Sequence, residues 1–112
     1  MDPWFMGAAE LAAEIRAKRI SATELLDGYL ARIDRYNPAL NAVIIVDEEA
    51  ARRAATAADA ALAAGAELGP LHGVPMTIKE SFDLAGHPST FGRPDRRDHV
   101  AARDALTVER LK

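Results

Sequence analysis

Leu-His-Gly-Val-Pro-Met-Thr-Ile-Lys-Glu-Ser, residues 71–81, is the stretch on which the reading of this chain turns. Val74, Met76, Thr77 and Ile78 are apolar or β-branched, as in a buried strand, and Gly73 and Pro75 punctuate its start. The strand then finishes on Lys79, with Glu80 directly after it. By spacing alone, Lys79 is a strand-end lysine whose stem lies on apolar surface while its head reaches water, the usual place for a lysine. The other reading is a shielded amine with chemistry to perform. A phosphate loop does not fit, because no second glycine precedes Lys79 and Glu80 stands where Ser or Thr is required. A pyridoxal phosphate lysine lacks a phosphate cradle here.

Working outward, Leu40–Val46 holds a run of four β-branched residues, Val43-Ile44-Ile45-Val46, and reads as a second strand, apolar on both faces. Between the two strands, Asp47 is placed to cap a helix with Glu48 and Glu49 in its first turn, running through alanines and arginines to about Gly65. So few bulky anchors mean that this helix must be held by close packing. Upstream, Ala8–Arg19 reads as a short helix with Leu11 and Ile15 one turn apart. Ser21-Ala22-Thr23-Glu24 is a capping box opening another. Leu25, Leu26, Tyr29, Leu30 and Ile33 form its stripe, and Asn37-Pro38 is expected to end it. After Gly86 the chain is turn-rich to about Val100, and a last helix is expected over roughly Ala101–Lys112. The order helix–helix–strand–helix–strand–helix implies an α/β protein with a partly parallel sheet. Two strands do not complete one, so the chain reads as the opening section of something larger, or one that needs a partner.

Composition narrows the class. Of 112 residues 49% are apolar but only 5% aromatic, and alanine buries little area, so the core is thin. A formal charge of −3, from 14 basic and 17 acidic side chains, gives no reason to expect nucleic acid or an anionic membrane as partner. There are no cysteines, which excludes disulfides, thiolate nucleophiles and zinc–thiolate sites. The start, Met1-Asp2-Pro3-Trp4-Phe5-Met6, does not read as a secretory signal, and no apolar run approaches membrane-spanning length. The expected compartment is the cytoplasm. His72, His87 and His99 lack metal-ligand spacing, so no metal site is expected. Arg93, Arg96 and Arg97 alternate with Asp95 and Asp98 as a solvated mixed-charge loop.

Two stretches together carry a resemblance: ELAAEIRAKRISATELLDGYLARIDRYNPALNAVI, residues 10–44, and GPLHGVPMTIKESFDLAGHPSTFG, residues 69–92. They resemble the N-terminal part of an amidase signature enzyme. In that family Gly-Val-Pro-x-x-x-Lys-Asp/Glu is a characteristic element whose lysine is the base of a Ser–cis-Ser–Lys triad. The element falls on Gly73, Val74, Pro75, Lys79 and Glu80, so the resemblance implies that Lys79 is catalytic. It also implies a mixed-sheet α/β/α fold, incomplete as given, with residues 1–38 helical and 39–112 beginning the αβ core of a single domain. The implied reaction is hydrolysis of a carboxylic amide in a small molecule, without a cofactor.

The chemistry suits a strand end. A serine hydroxyl is a poor nucleophile until a base removes its proton. A lysine does so only when neutral, although lysine ordinarily titrates near ~10.4, and burial lowers that value by up to roughly 3–5 units. Val74, Met76 and Ile78 are the expected source of desolvation, and Glu80 is expected to point away from the amine by strand alternation.

The family's two serines lie in a Gly-Gly-Ser-Ser-Gly-Gly type of segment, absent from these 112 residues. Ser21, Ser81 and Ser89 match no such motif, so the stretch alone is expected to be inert. The continuation Glu80-Ser81-Phe82-Asp83-Leu84-Ala85-Gly86 looks more like general amidases than the subunits that amidate mischarged tRNA, where Lys-Asp-Asn is usual. Two alternatives stand beside the leading reading: such an amidotransferase subunit, and a non-catalytic truncated or split chain acting as an interaction module. Expected partners are a small amide substrate and either a second copy or a complementing C-terminal part.

Overall fold

The computed structural model describes residues 2–112; Met1, the first residue of the start read above, lies outside them. The chain divides into two compact units, Met1–Pro75 and Met76–Lys112. The first is built on three helices, α1 Ala8–Arg16, α2 Ala22–Leu40 and α3 Glu48–Ala63, preceded by a 3₁₀ turn at Pro3–Phe5. The second holds a 3₁₀ turn at Pro94–Arg96 and one short helix, α4 Leu106–Leu111.

α1 ends three residues before the expected Arg19. Lys18 takes a left-handed conformation with φ +56°. The Lys18 amide donates to the Ile15 carbonyl (2.9 Å) and the Arg19 amide to that of Glu14 (3.0 Å), the paired bonds of a Schellman stop. The Arg19 guanidinium then grips the Glu14 carboxylate through two bonds of 2.7 Å. α2 begins on the expected capping box, with Ser21 Oγ accepting from the Glu24 amide (3.0 Å) and Glu24 Oε2 accepting from the Ser21 amide (2.9 Å).

α2 does not stop at Asn37-Pro38 but runs through Pro38 to Leu40. A proline in the last turn removes only one bond. The Asn37 side chain reties the exit, with Oδ1 accepting from the Ala42 and Val43 amides (both 2.9 Å) and Nδ2 donating to the Val43 carbonyl (2.8 Å). α3 starts as expected on Asp47, which caps the Ala50 amide at 3.0 Å, and ends ahead of a left-handed Gly65.

One cluster buries Leu11, Ile15 and Leu25, with Trp4, Met6, Ile20, Tyr29, Leu62 and Val74 packed around them. The other seats α3 on α2 through Ala22, Leu26 and Ala55, flanked by Leu30, Ala51 and Ala58. Ala51, Ala55 and Ala58 recur at helical spacing on one face, so the backbones approach closely, the packing expected of an alanine-rich helix.

Across this contact Asp59 of α3 completes the cap of α2. Its carboxylate accepts from the Ala22 amide (2.7 Å), the Thr23 amide (3.1 Å) and Thr23 Oγ1 (2.7 Å), satisfying donors that a helix start leaves open. Burial pushes this carboxyl up, but the bonds from Thr23 and Ala22, with a smaller contribution from His72, outweigh it and hold it below the ordinary value. With the folded value depressed, the stabilisation is complete above about pH 4 and is lost as pH falls through the folded value. Asp59→Ala is expected to cost about 1–3 kcal/mol in urea denaturation at pH 7. The difference from the parent should narrow below about pH 4.

The two expected strands do not form. Residues 41–47 and 74–79 carry no regular secondary structure, and among the described residues the only β pairing is an isolated antiparallel bridge between Pro88 and Val100. The expected mixed sheet is therefore not formed among the described residues. A strand needs neighbours to take its N–H and C=O groups, and nothing described here pairs with either run. Ile44, Ile45 and Val46 are correspondingly exposed, Ile44 by 62%. The last helix is also shorter than expected. Residues 99–105 spend backbone bonds across the unit instead of along a helix: Ser89 to His99 (3.1 Å), Ala101 to His87 (3.0 Å), Gly86 to Ala101 (2.9 Å) and Ala105 to Asp83 (2.8 Å). No helix among the described residues is long and apolar enough to cross a membrane.

Candidate active site around Lys79

The motif opens in the first unit. Turns bonded from His72 to Gly69 (3.2 Å) and from Val74 to Leu71 (3.1 Å) fold residues 69–74. Arg16 Nη2 donates to the Gly69 carbonyl (2.6 Å), and a His72 ring nitrogen meets the Ala58 carbonyl at 2.8 Å. Gly73 sits at φ +77°, and a Cβ there would lie 3.1 Å from Ala22 Cβ and 3.2 Å from Ile15 Cδ1. Both backbone conformation and space demand glycine. Gly73→Ala is expected to cost on the order of 1–3 kcal/mol, since strain and overpacking add. A thermal melt unchanged from the parent would contradict that seat.

Past Pro75 the motif continues in the second unit, where Met76 and Thr77 are exposed and Ile78 is half-buried. Lys79 is exposed as well, so the described residues do not supply the shielding expected for it. Its ammonium lies over the Phe91 ring, 5.7 Å from the centroid, a cation–π contact. Phe91 is itself left-handed at φ +50°, followed by Gly92 at φ +67°, an uncommon backbone for an aromatic residue.

Directly after Lys79, a bond from the Phe82 amide to the Lys79 carbonyl (2.9 Å) closes a turn. Glu80 Oε1 accepts from the Thr90 amide (3.1 Å) and Thr90 Oγ1 (2.6 Å), and no ion pair joins Glu80 to Lys79 among the described residues. Ser89, 3% exposed, donates its hydroxyl to the Glu80 carbonyl (3.2 Å). Its own carbonyl accepts from Arg96 Nε at 3.1 Å, so Arg96 is a brace within the loop read as solvated. Thr90 has no signal in the sequence, and the bracing contacts of Ser89 and Arg96 have none either. Their partners lie seven to ten residues away along an irregular loop, where no periodicity signals the contact.

The remaining candidates disperse. Ser21 is a helix cap, Ser81 is exposed and Ser89 is engaged with backbone groups. His72 packs on α3, whereas His87 Nδ1 meets the Ala85 carbonyl at 3.0 Å. No group of three or more His, Cys, Asp or Glu among the described residues could hold a metal ion. What this arrangement offers chemically is a single amine whose neighbouring acid is occupied elsewhere.

Comparison with known proteins gives this geometry a context. Residues 24–112 match the model of the amidase family. The indoleacetamide hydrolase of Bradyrhizobium diazoefficiens is 46% identical over 97% of this chain and 21% of its own length. A glutamyl-tRNA(Gln) amidotransferase subunit from Acidothermus cellulolyticus is 42% identical over 94% of this chain and 21% of its own. Among solved structures, a bacterial aryl acylamidase of the amidase signature family superposes with a TM-score of 0.79 at 32% identity, over 88% of this chain and 21% of that one. The chain thus spans about a fifth of the length of these relatives.

Proposed function

Because the chain belongs to the amidase family, we propose that it supplies the lysine-bearing section of an enzyme that hydrolyses a carboxylic amide, with Lys79 as the general base. The observation that carries this reading is the intact element Gly73-Val74-Pro75 to Lys79-Glu80 within a stretch 46% identical to a named amide hydrolase. Residues 1–112 form the N-terminal part of a single amidase domain, helical over 1–38 and beginning its αβ core over 39–112. The unpaired runs 41–47 and 74–79 become strands of a mixed sheet once further strands lie beside them. That packing also covers Met76 and Ile78 and shields Lys79. By themselves the 112 residues are inert.

In the assembled site Lys79 takes a proton, through a cis-peptide serine, from the serine hydroxyl that attacks the amide carbonyl. Both serines come from a glycine- and serine-rich segment outside these residues, whose backbone N–H groups bind the oxyanion. The proton passes to the departing amine as the C–N bond breaks. Water then cleaves the acyl-serine ester to release the carboxylic acid.

A small amide is the expected substrate, as the relatives named indoleacetamide hydrolase and aryl acylamidase suggest. The 42% match to an amidotransferase subunit supports a second reading, ammonia transfer on aminoacyl-tRNA, which the Lys79-Glu80-Ser81 continuation disfavours. Assays of the full-length protein against primary amides and anilides separate the two. Release of ammonia or aniline is the expected result; turnover confined to glutamine with a mischarged tRNA would favour the second.

A further inference from the structure

We infer that Thr90 is a positioning residue that holds the Glu80 carboxylate away from the Lys79 amine, so that the acid beside the base does not stabilise the base's protonated form. This rests on the reading of Lys79 as the base and assigns work to two further side chains. Strand alternation would put neighbouring side chains on opposite faces, but the chain leaves its extended path at Lys79. The bond from the Phe82 amide to the Lys79 carbonyl turns it. Within a turn nothing in the backbone keeps adjacent acid and amine apart.

Three consecutive residues of the facing loop do so instead. Ser89 binds the Glu80 carbonyl (3.2 Å), Thr90 binds its carboxylate through an amide and a hydroxyl (3.1 and 2.6 Å), and Phe91 takes the Lys79 ammonium on its ring (5.7 Å). The left-handed backbone at Phe91 and Gly92 follows directly on Thr90.

Two arginines of this loop are bonded to other partners. Arg96 is bonded to the Ser89 carbonyl, and Arg93 pairs with Asp95 at 2.6 Å. Glu80 is the acid next to the amine within this turn. An opposite charge close to a titrating amine favours its charged form, so releasing this carboxylate leaves less of the amine free to accept a proton.

The test compares Thr90→Val, Thr90→Ser and the double variant Glu80→Gln/Thr90→Val. In the 112-residue chain, NMR of the Lys79 ε-methylene should show its ring-current shift lost in Thr90→Val, as the ammonium leaves Phe91 for the freed carboxylate. The shift should persist in Thr90→Ser and in the double variant. In the full-length amidase the acidic limb of the kcat/KM profile should move up by about one pH unit in Thr90→Val and return in the double variant. An unmoved Thr90→Val, or a double variant that moves as far as the single one, would overturn the inference. Lys79→Met keeps the two failures separate: if it retains turnover, the base role fails, and if it is inactive while Thr90→Val is unchanged, only the present inference fails.

Discussion

Lys79→Met is expected to lower kcat for amide hydrolysis in the full-length protein by on the order of 10³–10⁶, with KM little changed. Methionine matches the lysine stem in length and apolar character but cannot accept a proton. The loss therefore falls on the step in which the serine hydroxyl becomes a nucleophile, not on the packing of residues 76–79. Methionine keeps the apolar stem, so a melting temperature within a few degrees of the parent should accompany the inactive variant. Turnover within about tenfold of the parent would assign the base elsewhere.

Leu25→Ala carries the largest expected effect on stability, about 2–5 kcal/mol in chemical denaturation. Leu25 is fully buried in one cluster with Leu11 and Ile15, against which Trp4 and Tyr29 pack, their rings edge to face with centroids 5.3 Å apart. Among the other buried side chains, Ala12, Ala22, Ala55 and Ala101 are too small to expand into the space left behind. Native domains are stable by only about 5–15 kcal/mol, so this one truncation removes a large share. A loss below about 1 kcal/mol would mean that the aromatic residues collapse into the void.

How much was legible in the sequence follows from the range of each interaction. The Ser21–Glu24 capping box, the Asp47 cap and the Gly65 stop are local, and each stands where the sequence places it. The end of α1 was hidden because Lys18 adopts the left-handed conformation usually left to glycine. The passage of α2 through Pro38 was hidden because the Asn37 side chain retied the turn from five and six residues away. Asp59 reaches α2 across 36 residues, which no helical pattern announces. Val43–Val46 and Val74–Ile78 have the composition of strands, but strand formation depends on what lies alongside, and composition cannot supply it. At the candidate site, the motif marks Gly73 and Lys79 in the sequence, whereas the bonds from Ser89 and Thr90 to Glu80 are visible only in the folded loop.

The most direct measurement is chemical rescue of Lys79→Ala in the full-length protein by small primary amines of graded basicity. If Lys79 is the proton acceptor, turnover returns as free amine is added, and the rescued rate rises with the basicity of the amine among those of similar size. Parent-level turnover in Lys79→Ala without any added amine would contradict the account, as would rescue that is indifferent to amine basicity.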